Sequence, residues 1–197
     1  MGALVAEPRQ TRNTERTRRA ILDAAQQVIL EKGAAVTLAQ VASVAGVSKS
    51  GLIHHFGNRD QLVVAVVEDV HDQFRESVLS HLDLSENYPG KMLRAYVRVL
   101  CAESTDAVAA RDFTSAPMWS GLYAIPAVAA VMSGQSAWWS EQFTLDGLST
   151  ERVLIVRRAA EGVAAAGVYG EEGEAGIAAA RRLLLELTTE GTFHTPV

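Results

Sequence analysis

Two adjacent histidines, His54 and His55, close the stretch LAQVASVAGVSKSGLIHHF at residues 38–56, with Lys49, Ser50 and Gly51 just ahead of them. Imidazoles can ligate a metal, carry a proton or donate N–H groups to a surface. Helix geometry argues against a shared metal. Neighbouring side chains diverge by about 100°, whereas two histidines gripping one ion sit at i, i+4. His71 and His81 stand with no cysteine or paired carboxylate at ligand spacing. Cys101 is the only cysteine, which leaves no internal disulfide and no cysteine-built metal cage. Its surroundings, RVLCAES, read as helix and make it a buried core residue. No glycine-rich phosphate loop occurs. These residues predict no catalytic centre, no metal and no cofactor. Contact with a surface is the chemistry left for His54 and His55.

Charge indicates which surface. The 197-residue chain carries a net charge of −5, but unevenly. Residues 1–60 hold eight Lys/Arg against five Asp/Glu, net +3, and residues 61–197 hold ten against eighteen, net −8. Five of the eight basic residues, Arg9, Arg12, Arg16, Arg18 and Arg19, fall in the first nineteen positions. A basic end on an acidic body predicts that the first sixty residues face a polyanion. At 48% hydrophobic and 21% charged, the chain has enough apolar material for a buried core. No apolar run approaches the ~20 residues that span a bilayer. The leading MGALVAEPRQ lacks the apolar segment of a secretory signal, and Ala6 breaks the myristoylation pattern. A cytoplasmic protein with no membrane partner is expected.

The elements that must position these groups are helices, since apolar residues recur at helical spacing and no period-2 alternation of any length appears. The spacing predicts an all-α chain of about nine helices: 14–32, 37–45, 48–55, 59–82 and 90–104, a short helix and bend between 106 and 125, then 126–143, 149–168 and 174–189. Residues 61–197 are read as a second domain after a head at 1–60. SENYPGK is the clearest linker, with Pro89 placed to begin a helix. TLAQ fits a capping box, with Thr37 as the cap and Gln40 reaching back.

Helices 37–45 and 48–55, joined by a short turn with Gly46, match a helix-turn-helix unit. Ala42 falls where a larger side chain would push the two helices apart, and Gly46 falls where positive φ is needed. Val41, Val47 and Leu52 clamp the pair, and Ser48 caps the second helix. Lys49, Ser50, Gly51, Ile53, His54 and His55 remain outward, as suits a helix laid in the major groove.

The stretch RRAILDAAQQVILEKGAAVTLAQVASVAGVSKSGLIHHFGNRDQLVVAVVE, residues 18–68, resembles the TetR/AcrR-type transcriptional regulators. Its pieces are ILDAA, then KG…VTLAQVA..AGVSKSGLIHHF, then NRDQL. Ile53 occupies a position often held by tyrosine in that family, and Arg59 the position of a lysine. The resemblance implies a sequence-specific, most often repressing, regulator that binds a palindromic double-stranded DNA operator as a homodimer. It implies phosphate contacts at Thr37, His54, His55 and Arg59, and base contacts at Lys49, Ser50 and Gly51. Ser48, Ile53 and Arg16 of the N-terminal arm complete that surface. It also implies dimerisation through the last two helices, where AAEGVAAAGV offers small residues and RRLLLEL bulk.

The middle of the chain gathers Tyr96, Phe113, Met118, Trp119, Tyr123, Met132, Trp138, Trp139 and Phe143. These residues are either plain core or the wall of an apolar cavity for a small-molecule effector. The Gly/Pro breaks between Pro117 and Pro126 favour the cavity. Occupancy would then change the angle of the long fourth helix. Control by a protein partner, or an enzymatic helical domain behind a DNA-binding head, are the other readings. HDQFRES, at 71–77, reads as a solvated helix face.

Overall fold

A computed structural model describes residues 9–102, 108, 110 and 121–189, with side chains described from residue 13 onward. No strand occurs among them, as the sequence predicts. The chain order is α1 (Arg9–Lys32), a 3-10 turn (Gly33–Ala35), α2 (Leu38–Val44), α3 (Lys49–Phe56), α4 (Arg59–Ser80), α5 (Lys91–Leu100), α6 (Pro126–Leu145), α7 (Thr150–Val168) and α8 (Glu174–Leu187). Of the short helix and bend expected between 106 and 125, only Val108, Ala110 and residues 121–125 are described: the first two are helical and 121–124 form a 3-10 turn. α1 starts five residues earlier than its apolar stripe predicts.

Contacts divide the chain into two compact units. One holds residues 1–69 and 118–129, the other 70–117 and 130–197. α4 and α6 each contribute residues to both.

In the first unit, Ile21, Leu22, Ala25, Val28 and Ile29 form the buried stripe of α1. α1 ends at Gly33, whose φ of 55° is the left-handed stop that a side chain would resist. Thr37 caps α2. Its hydroxyl accepts from the Gln40 N–H at 3.3 Å, while the Gln40 Oε1 accepts from the Thr37 N–H at 3.0 Å. Asn58 caps α4 by accepting from the Gln61 N–H at 2.9 Å. Gly121 packs beside Ala34, so residues from the later segment join this unit.

In the second unit the core joins Phe74 and Val78 of α4, Leu93, Tyr96, Val97 and Leu100 of α5, Trp139 and Phe143 of α6, Val156, Ala160 and Ala164 of α7 and Leu184 of α8. A polar clamp fastens the approach to α5. Arg94, 4% exposed, donates from Nε to Glu86 at 2.6 Å and from Nη1 to the carbonyls of Pro89 (2.9 Å) and Thr188 (3.2 Å). α5 begins at Lys91, with Gly90 rather than Pro89 beside it as the N-cap. Gly90 takes φ 94°, and a Cβ there would stand 2.8 Å from the Thr188 carbonyl. Among the described residues no helix is long and apolar enough to cross a membrane.

Candidate nucleic-acid interface

The geometry of α3 is set before its first residue. Gly46 turns the chain at φ 66°, and the Val47 N–H returns to the Ala42 carbonyl at 3.0 Å. Ala42 is buried at that crossing beside the fully buried Val41 and Leu52, so a larger residue there would separate the helices. Ser48 then caps α3, accepting from the Gly51 N–H at 3.0 Å. With Leu52 and Phe56 turned into the core, Lys49, Ser50, Ile53 and His54 are exposed and Gly51 and His55 half-exposed. α3 carries no carboxylate of its own. The His54 and His55 rings lie 5.8 Å apart at 72° to each other. Among the described residues no three His, Cys, Asp or Glu are grouped to hold a metal.

Several residues read from the sequence as contact groups have intramolecular work as well. The Ser50 hydroxyl lies 3.1 Å from that of Ser48, within the cap. The Thr37 hydroxyl donates to Gln40 Oε1 at 2.9 Å. Arg59 donates from Nε to the Val36 carbonyl at 2.9 Å, from Nη1 to Asp60 at 2.8 Å and from Nη2 to the Ala34 carbonyl. Its guanidinium therefore holds the turn between α1 and α2 against the start of α4. Arg16 is exposed. Arg19 is taken up by Asp23 and Asp69, each at 2.6 Å, and these carboxylates raise its pKa.

Arg18 is the residue the sequence reading passed over. Its guanidinium carbon lies 4.7 Å from the centroid of the Phe56 ring at the end of α3, and the residue is exposed. In the sequence it is one of five arginines in a basic arm. Only the pairing of α1 with α3, across 38 positions, singles it out.

The residues proposed for a cavity do not all come together. Tyr96, Trp139 and Phe143 do, each at most 1% exposed. The Tyr96 ring is edge-on to Trp139 at 4.9 Å and to Phe143 at 5.4 Å, while Trp139 stacks on Phe143 at 5.6 Å. These three are packed core. Trp138 adjoins Trp139 at 4.8 Å and carries Arg75 over its ring at 4.4 Å. Met132 Sδ lies 3.0 Å from His71 Nε2. Tyr123 is 43% exposed and belongs to the first unit. Phe113, Met118 and Trp119 lie outside the described residues.

HDQFRES is not a wholly solvated face, because His71 and Phe74 point into the core. Burial, with Arg75 nearby, pushes the His71 pKa down to about 4 and keeps the ring neutral. Burial also raises the Tyr96 hydroxyl's pKa, and that hydroxyl donates to Glu161 Oε1 of α7 at 2.8 Å. On the outward side of α7 and α8, Leu154, Ile155 and Leu183 are 56%, 63% and 56% exposed. Nothing within 4 Å would meet a side chain added at Gly162.

Residues 21–66 match the family model described as bacterial regulatory proteins, tetR family. Residues 90–189, more than half the chain, match that described as tetracyclin repressor-like, C-terminal domain. Over 83 residues the chain is 32% identical to the HTH-type transcriptional regulator BetI of Rhizobium meliloti. That match covers 42% of this chain and 40% of that curated relative's length. A TetR-like transcriptional regulator from Rhodococcus sp. superposes with a TM-score of 0.62 at 20% identity, covering 93% of this chain and 96% of that one. The multidrug binding protein EbrR, complexed with imidazole, gives 0.62 at 22% identity, covering 91% and 93%. At these identities the likeness is one of fold.

Proposed function

The chain belongs to the TetR family of bacterial transcriptional regulators, and from that premise we propose that it is a homodimeric repressor whose two α3 helices read a palindromic operator and whose body answers to a small apolar or amphipathic effector. The observation that carries the reading is the exposed face of α3. It offers Lys49, Ser50, Ile53 and His54 with no carboxylate among them, on a helix fixed at both ends by its cap and its buried Leu52 and Phe56. Residues 1–60 form the DNA-binding head in this reading and 61–197 the regulatory and dimerising body. Lys49 and Ile53 face base edges, with Gly51 allowing close approach. Arg16, Arg18, Thr37, His54, His55 and the free N–H groups of Arg59 follow the phosphates.

One short helix contacts few base pairs, so a two-fold dimer is the economical way to read a longer site. The exposed Leu154, Ile155 and Leu183 beside the bare Gly162 are the face on which α7 and α8 meet their copies. Effector control is supported by the fold shared with EbrR, a multidrug binding protein. It is supported also by Trp138 and Arg75, a half-buried aromatic-cation pair beside the aromatic core. Such an effector must prefer one conformation of the protein over the other.

The test is a mobility-shift assay with the DNA flanking the coding sequence, comparing the wild type with Lys49→Ala/His55→Ala. The double variant is expected to remain dimeric and lose specific binding. Retention of salt-dependent specific binding would overturn the assignment of α3. Thermal-shift screening against a metabolite and drug library tests the effector, and an absence of any stabilising compound would favour control by a protein partner.

A further inference from the structure

Ile53 is the only apolar side chain on the outward face of α3, 40% exposed where Leu52 and Phe56 are buried. It lies three residues from Ser50 and four from Lys49, so it stands one turn along the same stripe. Isolated surface isoleucines are common. This one is at the centre of a face whose other members are all polar or glycine, on a helix of eight residues. Phosphate offers an isoleucine nothing, and sugar C–H groups offer it the same contact whatever the sequence. The apolar group on the floor of the major groove is a methyl at C5 of a pyrimidine, which thymine carries and unmodified cytosine lacks.

Resting on the reading of α3 as the DNA-reading helix, we propose that Ile53 reads the C5 methyl of a thymine at one fixed position in each half-site. The neighbouring groups sharpen the assignment. Ser50 has its hydroxyl within the Ser48 cap, which leaves Lys49 as the charged reader and Ile53 as the apolar one. A lysine that meets guanine and an isoleucine that meets a methyl discriminate different base pairs. Packing the side chain against that methyl removes about one methyl group's worth of apolar surface from water, which corresponds to about a fourfold change in Kd.

The experiment uses the full chain. Sites are first enriched from a random duplex library of unmodified DNA, in which thymine is the only carrier of the methyl. Each thymine of the enriched site is then replaced in turn by uracil, which keeps every pairing and hydrogen-bonding group and removes the methyl alone. One position per half-site is expected to lose about fourfold in affinity. Ile53→Ala, at an exposed position, is expected to keep its dimer mass and melting temperature. It should bind the thymine site about fourfold more weakly and distinguish thymine from uracil by less than about twofold. An absence of any uracil-sensitive position, or an equal uracil penalty in Ile53→Ala, overturns the proposal. A parallel library copied with 5-methylcytosine tests the other source of the methyl, and preference for methylated cytosine at that position overturns the assignment to thymine. Failure to enrich any sequence is a different result, since it removes the DNA-reading function on which Ile53's role depends.

Discussion

The Arg18 guanidinium lies over the ring of Phe56, 4.7 Å from its centroid, and so is tethered at the end of the helix that carries His54 and His55. An exposed arginine normally samples many rotamers, and a ring beneath it narrows that range at little desolvation cost. Its neighbour Arg19 is bound instead by two carboxylates, Asp23 and Asp69. The two adjacent arginines are thus placed differently, one exposed over a ring and the other holding α1 to α4.

Arg18→Ala is expected to weaken DNA binding about equally for specific and non-specific sequences. It should also lower the slope of log K against log salt by about 1 per half-site. Arg18→Lys should recover the charge and part of the affinity. Titrations at several salt concentrations check this, and an unchanged slope in Arg18→Ala would place the residue away from phosphate.

Isologous contact through α7 and α8 predicts that Ile155→Glu or Leu183→Glu yields monomers. Each substitution places two like charges across a two-fold axis at an apolar position. Sedimentation would show half the wild-type mass. A variant that stayed dimeric would move the interface elsewhere.

Arg94→Ala leaves the buried Glu86 carboxylate with Arg98 (3.0 Å) as its remaining guanidinium partner and takes a donor from the carbonyls of Tyr88, Pro89 and Thr188, and is expected to cost about 1.5–3 kcal/mol of stability. Chemical denaturation measures it. Burial pushes the Glu86 carboxyl up, but the Arg98 and Arg94 guanidiniums together outweigh it and hold the group below its usual range. Its contribution is therefore present above the unfolded-state pKa and lost as pH falls through the folded one, so Glu86→Gln should flatten the acid limb of the stability curve.

His71 adds a second pH effect of the same direction from the opposite kind of group. Folding keeps the ring neutral down to about pH 4, while the unfolded ring takes a proton near pH 6.5. As pH drops between those values the unfolded state binds more protons, and the native state loses stability. The loss is about 2 kcal/mol between pH 7 and pH 5. His71→Gln should remove that portion of the slope, as judged by denaturation midpoints at the two pH values.

Features that depend on a few neighbouring residues were legible in the sequence. The Thr37–Gln40 capping box, the Ser48 cap, the positive φ of Gly46 and the burial of Ala42 all follow from local pattern. The outward set on α3 follows from helical spacing once its cap is placed. Contacts between distant positions were not legible. No local rule tells that Arg59 will reach the carbonyls of Ala34 and Val36, or that Arg18 will meet Phe56. The face of α4 was misread for a related reason. HDQFRES looks polar, yet His71 and Phe74 are buried because this stretch packs among other helices, and a polar stretch can still send two of its side chains inward.

The aromatic cluster of Tyr96, Trp139 and Phe143 also makes the protein optically lopsided. No tyrosine or tryptophan precedes Tyr88, so the three helices that build the proposed reading head are dark to excitation near 295 nm. Light emitted on such excitation comes from indoles at 119, 138 and 139 alone. If operator DNA changes that emission, the change originates at indoles more than sixty residues beyond α3 in the sequence, and the unlabelled protein reports it without a dye.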